Sequence, residues 1–219
     1  HEIKEHSVDR LQTQWQESQA ILGTHLALYQ IHSATFESGV LENTSVLKVL
    51  ADIKAQGTAI GLTTSGPQQG DVIDAAIALK IDGVALFDCV QATWNLLERS
   101  AGPALARVYE SGLGIIIKEA LANGRLTDRN LIASSNLSED LLRTESKRLA
   151  TSIDGLALSA VLAQPWVHMV LSGAARPEQV LSNVNALNVK FDEEAEMGLS
   201  TLSEEPESYW AFRSTLAWN

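Results

Sequence analysis

The chain has 219 residues with 27 acidic and 16 basic side chains, which gives a formal net charge of −11. This balance argues against a nucleic-acid partner, because binding to phosphates requires an excess of lysine and arginine. Hydrophobic residues make up 45% of the chain, enough for a buried core, yet its apolar runs are far too short to span a membrane. A single cysteine, Cys89, excludes an intrachain disulfide framework and a cysteine-rich zinc site, and it favours a reducing, cytoplasmic compartment.

Short apolar segments with the character of β-strands alternate with amphipathic helices. The predicted strands are 26–32, 58–62, 83–90, 113–118 and 167–171. The predicted helices are 7–22, 45–56, 71–79, 103–110, one opening at Ser138, 154–163 and 177–186, with a helical tail after Asp192. Apolar residues three and four apart mark the helices. The alternation predicts parallel strand pairing and an α/β fold in a single domain spanning residues 1–219.

Two segments stand outside this alternation. Residues 121–136 form the least regular internal stretch, and long loops often carry function. In the tail, the aromatic residues Trp210, Phe212 and Trp218 predict that the C-terminal residues dock onto the body of the protein.

Five short motifs, in the same order along the chain, point to one enzyme family. Four of them are residues 28–32 (Leu-Tyr-Gln-Ile-His), 60–64 (Ile-Gly-Leu-Thr-Thr), 91–99 (Gln-Ala-Thr-Trp-Asn-Leu-Leu-Glu-Arg) and 121–126 (Leu-Ala-Asn-Gly-Arg-Leu). The fifth is 172–179 (Ser-Gly-Ala-Ala-Arg-Pro-Glu-Gln), followed by Asn183. Together they resemble the C-terminal two-thirds of the aldo-keto reductases, which are (β/α)8 TIM barrels that use a nicotinamide cofactor. The resemblance predicts such a barrel, represented by about five consecutive strand–helix units plus C-terminal helices.

The resemblance also implies site residues. It gives His32 the catalytic role of orienting the substrate carbonyl group. The residues that it implies for cofactor binding are Thr64, Gln91, Trp94, Leu121, Asn123, Gly124, Gly173, Arg176, Gln179 and Asn183. NADP is the expected cofactor because Arg176 suits a 2′-phosphate. NAD is the alternative, because Gln179 stands where some NADPH-specific members carry arginine. No metal ligands are expected.

The chemistry of these side chains agrees with those roles. The Gln91 amide carries a donor and an acceptor that match a nicotinamide carboxamide, and Trp94 offers a flat face for stacking. Gly124 and Gly173 permit close backbone approach to a pyrophosphate. The helix that opens at Pro177 directs free N–H groups and its positive end toward phosphate.

Several positions have a structural interpretation as well. His32 could be a strand-end histidine with satisfied polar atoms, Trp94 a core residue, and Arg176 a solvated residue at a helix start. Residues 118–120, Lys-Glu-Ala, depart from the aromatic-Ser-Pro run of the family. The wall of the pocket at that point is therefore not predicted.

The family's catalytic set is Asp, Tyr, Lys and His, and only the histidine has a counterpart, His32. The other three belong to the second and third strands of the family's barrel, which would precede His1. A closed barrel needs eight strands and about 250 residues. We therefore expect this chain to be part of a longer protein, with a natural truncation or a partner that supplies the missing strands as alternatives. The structure is expected to show five consecutive barrel strands.

The leading hypothesis is that the parent protein is an NAD(P)H-dependent oxidoreductase that reduces the carbonyl of an aldehyde, ketone or sugar by hydride transfer. The alternative is a non-catalytic cofactor-binding or regulatory subunit with the same barrel, and a third reading is a fragment without cofactor affinity. The expected partners are a small-molecule carbonyl substrate and a second copy of the chain, with no nucleic acid and no membrane.

Overall fold

The computed structural model describes residues 5–128 and 137–216. Its α-helices are α1 (Val8–Leu22), α2 (Thr44–Ala55), α3 (Gln69–Ala78), α4 (Gly102–Glu110), α5 (Leu137–Arg148), α6 (Ile153–Leu162), α7 (Pro177–Asn185), α8 (Glu193–Leu199) and α9 (Pro206–Thr215). Its strands are β1 (Leu28–Ala34), β2 (Ala59–Thr64), β3 (Lys80–Ile81), β4 (Val84–Ala85), β5 (Cys89–Thr93), β6 (Gly114–Lys118) and β7 (Met169–Val170). The residues 129–136 of the predicted irregular stretch, together with His1 and Trp218, lie outside the described residues.

Five of these strands form one sheet in the order β1-β2-β5-β6-β7. Leu28 of β1 lies opposite Ala59 of β2, and Gly61 of β2 lies opposite Cys89 of β5, in parallel registers. β6 and β7 are also parallel, with Ile116 opposite Met169. The α/β class and the five consecutive strands predicted from the sequence are confirmed.

The predicted third strand, 83–90, is wrong in its extent. Val84–Ala85 instead pairs antiparallel with Lys80–Ile81 in a separate two-stranded hairpin. Its turn is Asp82-Gly83, and both residues have positive φ (52° and 82°), the backbone that a tight hairpin turn requires. The strand that joins the large sheet begins later, at Cys89. Predicted strand 167–171 likewise shortens to the two residues of β7.

The chain divides into two compact units. The first comprises residues 1–92 and 103–115, and the second comprises residues 93–102 and 116–219. That the two units make up one domain stays a prediction.

In the first unit, helices bury apolar faces that the sequence spacing marks. Leu50 and Ile53 of α2 and Ile73 of α3 are almost fully buried. Helix α1 begins at Val8 because the Ser7 side chain caps it by accepting a hydrogen bond from the Arg10 N–H. Cys89 is buried, and burial together with the Asp88 carboxylate raises the pKa of its thiol to about 11. The thiol is thus an apolar core group.

The second unit has its own apolar core around α6. Its buried residues include Leu142, Ile153, Leu156, Ala160, Leu199 and Leu202. Ser152 caps α6, and Asp192 caps α8 by accepting from the Ala195 N–H. Hydrogen bonds from Arg148 and from that N–H hold the pKa of Asp192 well below its usual range. Trp210 packs against this core, which confirms docking for that residue, whereas Phe212 stays half-exposed.

Candidate active site

In the first unit, three parallel strands present polar residues at one level near their C-terminal ends. β1 contains one extra residue between Ile31 and Ala34, so His32 and Ser33 together oppose Thr63 of β2. Ser33 takes a positive φ of 49°, and its N–H donates to Thr63 Oγ1 at 2.7 Å. Thr63 in turn lies opposite Gln91 of β5. A bulge of this kind redirects side chains, and bulges are over-represented next to active sites.

His32 is exposed at this bulge, and its carbonyl oxygen contacts the ring of His6, which lies just before α1. The His6 ring nitrogen Nε2 lies 3.3 Å from the His32 carbonyl oxygen. A cavity of about 260 Å³ in this unit is lined by His6, Tyr29, Gln30 and His32, among others. Because successive residues of a strand point to opposite faces, this lining wraps around the edge of β1, the terminal strand of the sheet.

The Thr64 side chain lies inside the sheet, and its cofactor-binding role stays a prediction. Thr64 is fully buried, and its hydroxyl donates to the Gln91 carbonyl oxygen at 3.5 Å. Side chains alternate along a strand, so Thr64 points away from the face that carries Thr63. Thr63 is therefore the hydroxyl at the level of Gln91, and Thr64 helps to hold β2 to β5.

Trp94 belongs to the second unit and is enclosed by its neighbours there, and its stacking role stays a prediction. The side chain is only 4% exposed and packs edge-to-face against Trp166, with ring centroids 5.6 Å apart. The Arg99 guanidinium lies over the Trp94 ring at 5.4 Å and forms an ion pair with Glu196. With its ring covered in this way, Trp94 is a core residue of the second unit.

The loop that follows β6 is held in a left-handed backbone by contacts with α9. Glu119, Ala122 and Asn123 have φ values of 56°, 47° and 56°, although none is a glycine. The Glu119 carboxylate accepts from Arg213 of α9, at 2.9 Å from Nη2 and 3.1 Å from Nε. These two side chains are only 15% and 14% exposed. With its amide turned to satisfy both groups, Asn123 donates to Glu119 and accepts from Arg213. Asn123, which is predicted to bind the cofactor, therefore stabilises this loop through its bonds to Glu119 and Arg213.

A second set of contacts ties α9 to the same loop. The fully buried Asn95 donates to the Glu119 carbonyl oxygen at 2.9 Å and to the Tyr209 hydroxyl at 3.0 Å. Arg125 forms an ion pair with Glu204 and lies over the Tyr209 ring at 5.6 Å. Burial raises the pKa of Tyr209. The aromatic residues of α9 thus serve contacts inside the second unit.

Leu121 and Gly124 lie within this loop. The Leu121 carbonyl oxygen accepts from the Gly124 N–H at 2.9 Å and from the Leu126 N–H at 3.2 Å, which closes a tight turn. Gly124 has a φ of 89°, and a Cβ placed there would meet no atom within 4 Å. The turn therefore leaves open space above the glycine, as close approach of a ligand requires.

The loop that precedes α7 is exposed and braced by amide side chains from that helix. Gln179 Oε1 accepts from the Ala175 N–H at 2.9 Å, and Asn183 Nδ2 donates to the Ser172 carbonyl oxygen at 3.1 Å. The structure therefore shows Gln179 and Asn183, both predicted to bind the cofactor, holding the loop backbone in shape.

The same loop presents the groups expected to meet phosphate. Gly173 has a φ of 61° and open space where a Cβ would stand. Arg176 is exposed and occupies the N-cap position of α7, with Pro177 opening the helix. A cation beside a helix N-terminus forms a suitable anion-binding surface.

Gln30 and Thr63 are not among the residues predicted from the sequence, although the strand pattern contains a signal for each. Gln30 precedes His32 by two residues, so the alternation of a strand places both side chains on one face. Thr63 and Thr64 are adjacent in β2, so the same alternation places their side chains on opposite faces of the sheet. The Glu119–Arg213 pair left no such signal, because its partners are 94 residues apart.

Among the described residues, no helix is long and apolar enough to cross a bilayer. The described ranges also contain no group of three histidine, cysteine or acidic side chains arranged to hold a metal ion.

The chain resembles proteins of a known family. The model of the Aldo/keto reductase family matches residues 2–198. The chain belongs to the aldo/keto reductase family. A curated relative from Bacillus subtilis (strain 168), named "Uncharacterized oxidoreductase YqkF", is 24% identical over 206 residues. That alignment covers 87% of this chain and 64% of the relative, so the chain spans less than two thirds of the relative's length.

Solved structures of the family share the fold. The holo form of the aldo-keto reductase AKR11C1 from Bacillus halodurans has a TM-score of 0.73 at 21% identity, covering 93% of this chain and 67% of that one. The thermostable aldo-keto reductase Tm1743, solved with the inhibitor epalrestat, has a TM-score of 0.67 at 23% identity. That match covers 89% of this chain and 66% of Tm1743.

Proposed function

We propose that the full-length protein reduces the carbonyl group of an aldehyde, ketone or sugar with a nicotinamide dinucleotide as the hydride donor. The observation that carries the proposal is the row of His32, Thr63 and Gln91 at the C-terminal ends of three adjacent parallel strands. In barrel enzymes this end of the strands carries the chemistry. Membership of the aldo/keto reductase family supports the same reading.

The residues present suit a dinucleotide. In the first unit, the Gln91 amide offers both a donor and an acceptor to a carboxamide. In the second unit, Gly124 and Gly173 each leave open space at the Cβ position, and Arg176 supplies an exposed cation at the start of α7. Each unit is thus proposed to contribute its own dinucleotide ligands: Gln91 in the first, and the turn around Gly124 with the loop from Gly173 to Arg176 in the second.

The bound dinucleotide supplies the hydride, and the chain's own residues bind and orient the reactants. His32 donates a hydrogen bond to the carbonyl oxygen of the substrate, which stabilises the negative charge that develops there. The oxygen that receives negative charge must also take up a proton, which a tyrosine supplies in the aldo-keto reductases, and none of the described tyrosines matches that position. Tyr209, for example, is buried and bonded to Asn95.

An activity assay on the full-length protein tests this proposal. NADPH or NADH is mixed with a panel of aldehydes, ketones and sugars, and the nicotinamide absorbance is followed. We expect turnover with at least one carbonyl compound, and His32→Gln to lower kcat roughly 100-fold through loss of charge stabilisation. His25→Gln, an exposed histidine of the same unit, is the matched control and keeps full activity. Dinucleotide binding without turnover of any carbonyl would favour the non-catalytic subunit instead.

The preference for NADP is a separate part of the proposal. An exposed Arg176 pairs with a 2′-phosphate, and such a charge-assisted contact contributes about 1.5–3 kcal/mol. We expect Arg176→Met to raise the Kd for NADPH roughly tenfold and to leave the Kd for NADH within about twofold. Equal weakening of both nucleotides would show that Arg176 does not distinguish them.

Two further parts of the proposal concern the cellular location of the protein and its self-association. We propose a cytoplasmic protein on the basis of its single cysteine, and cell fractionation tests this. Self-association is tested by sedimentation of the full-length protein.

A further inference from the structure

In the first unit, Gln30 of β1 reaches across β2 to bond with Gln91 of β5. Gln30 Nε2 donates to Gln91 Oε1 at 3.2 Å. Neighbouring strands lie about 4.8 Å apart, so the Gln30 side chain must pass over the strand between them. The β2 residue directly opposite Gln30 is Gly61.

Gly61 makes this crossing feasible. A Cβ at position 61 would lie 3.0 Å from Gln30 Cγ, 3.0 Å from Gln30 Oε1 and 3.0 Å from the Cys89 carbonyl oxygen. Any side chain there would displace either Gln30 or the backbone of β5. Gly61 does not need a left-handed backbone, so its value at this position is the space that it leaves.

The bond fixes which half of the Gln91 amide faces outward. Because Gln91 Oε1 accepts from Gln30, the NH2 group of Gln91 is the half that remains to meet a ligand. Gln30 Oε1 is buried over Gly61 without a hydrogen-bond partner among the described residues. A buried carbonyl oxygen without a partner is tolerated more often than a buried N–H without one. The observed orientation, with the Gln30 NH2 making the bond, is therefore the favoured one.

We propose that Gln30 is a positioning residue that turns the Gln91 amide so that its NH2 donates to the carbonyl oxygen of a nicotinamide carboxamide. This inference rests on the proposed function, since it concerns the same dinucleotide. The atom that Gln91 contacts is then the carboxamide oxygen, and the carboxamide NH2 does not contact Gln91.

NADP+ and its 3-acetylpyridine analogue distinguish this arrangement from the reverse one, in which the Gln91 carbonyl oxygen accepts from the carboxamide NH2. The 3-acetylpyridine analogue of NADP+ keeps the carbonyl oxygen and replaces the carboxamide NH2 with a methyl group. If Gln91 donates, the analogue keeps its hydrogen bond, and its Kd stays within about threefold of the Kd for NADP+.

Gln30→Glu is the decisive variant, because it keeps the shape and exchanges the donor for an acceptor carboxylate. The carboxylate then accepts from the Gln91 NH2 and turns the Gln91 carbonyl oxygen toward the ligand. NADP+ can meet that oxygen with its carboxamide NH2, whereas the analogue cannot. At about pH 8, where a carboxylate is ionised, we expect the ratio of the analogue's Kd to that of NADP+ to rise at least about tenfold.

Calorimetric titration of the full-length protein measures these ratios. Gln16→Glu on the exposed face of α1 is the matched charge control and leaves the ratio unchanged. Gln30→Leu provides an uncharged second variant, in which the released Gln91 amide can rotate and the ratio rises by less than in Gln30→Glu. An unchanged ratio in both Gln30 variants, with both nucleotides bound, would overturn the positioning role while the proposed function stands. No binding of either nucleotide to the unaltered protein would overturn both.

Discussion

The loop after β6 and the loop before α7 both belong to the second unit and both correspond to predicted cofactor segments, yet they are held in different ways. The first loop depends on a distant helix, since Arg213 of α9 bonds to a mostly buried Glu119. The second loop is exposed and is braced by Gln179, only four residues from the Ala175 that it contacts.

The two loops differ in whether water can replace a hydrogen bond that a substitution removes. In an exposed loop, water takes over a lost hydrogen bond, so the net cost of losing that bond is small. Around Glu119, removal of the partner leaves a charge with little access to solvent, and that is costly. Substitutions in α9 should therefore disturb the first loop far more than substitutions in α7 disturb the second.

The largest effect is expected for Arg213→Met. It leaves the Glu119 carboxylate buried without its guanidinium partner, so the free energy of unfolding should fall by about 3 kcal/mol. Denaturant titration measures this value. Arg107→Met, which removes an exposed pair with Asp74, serves as the control and should change stability much less.

The double variant Glu119→Leu with Arg213→Met sharpens the result. Because both charges are then absent, the double variant should cost less than the two single variants together. Strict additivity, or a loss below about 1 kcal/mol in Arg213→Met, would show that the ion pair does not hold this loop.

An intermediate effect is expected for Tyr209→Phe, which removes the hydroxyl that accepts from the buried Asn95. The free energy of unfolding should fall by about 1–2 kcal/mol because the buried Asn95 amide loses one of its two acceptors. Denaturant titration of Tyr209→Phe beside the unaltered protein checks this value. No measurable loss would mean that the Tyr209 hydroxyl does not contribute to holding α9.

The pH dependence provides a second test of Tyr209. Burial raises the pKa of the Tyr209 hydroxyl above the value of about 10 for an unfolded chain. The neutral hydroxyl therefore stabilises the fold below about pH 10, and this contribution is lost as the pH rises toward the folded-state pKa. Unfolding titrations at rising pH should show a shallower alkaline loss for Tyr209→Phe than for the unaltered protein. Equal slopes would contradict the burial argument.

The smallest effect is expected for Gln179→Leu. The Ala175 N–H loses its acceptor but stays exposed, so stability should change by less than about 1 kcal/mol. Amide hydrogen exchange at Ala175 should nevertheless accelerate. Asn183→Leu is the control, since it removes the bond to the Ser172 carbonyl and keeps the acceptor of Ala175. A stability loss as large as that of Arg213→Met would erase the distinction between the loops.

Much of the fold could be predicted because it depends on local patterns. The helical spacing of Val46, Leu47, Leu50 and Ile53 identified α2, and all four are buried. The strand predicted at 83–90 was wrong in its extent because an apolar run does not reveal which sheet it joins. There the Asp82-Gly83 turn closes a hairpin before the large sheet resumes.

The candidate site was harder to predict because side-chain contacts depend on tertiary packing. The motif around Gln91 placed that residue on the sheet, but nothing in it shows that Trp94 would be enclosed by Trp166 and Arg99. Similarly, Glu119 alone does not reveal a partner on α9. Gln30 was available from strand alternation, and only the glycine opposite it shows why it can reach Gln91.

The full-length protein is proposed to bind a nicotinamide dinucleotide. Calorimetric titration of the full-length protein with NADPH tests this proposal most directly. We expect saturable one-to-one binding with a Kd in the micromolar range. Absence of binding by NADPH and by NADH, in a folded protein, would contradict it.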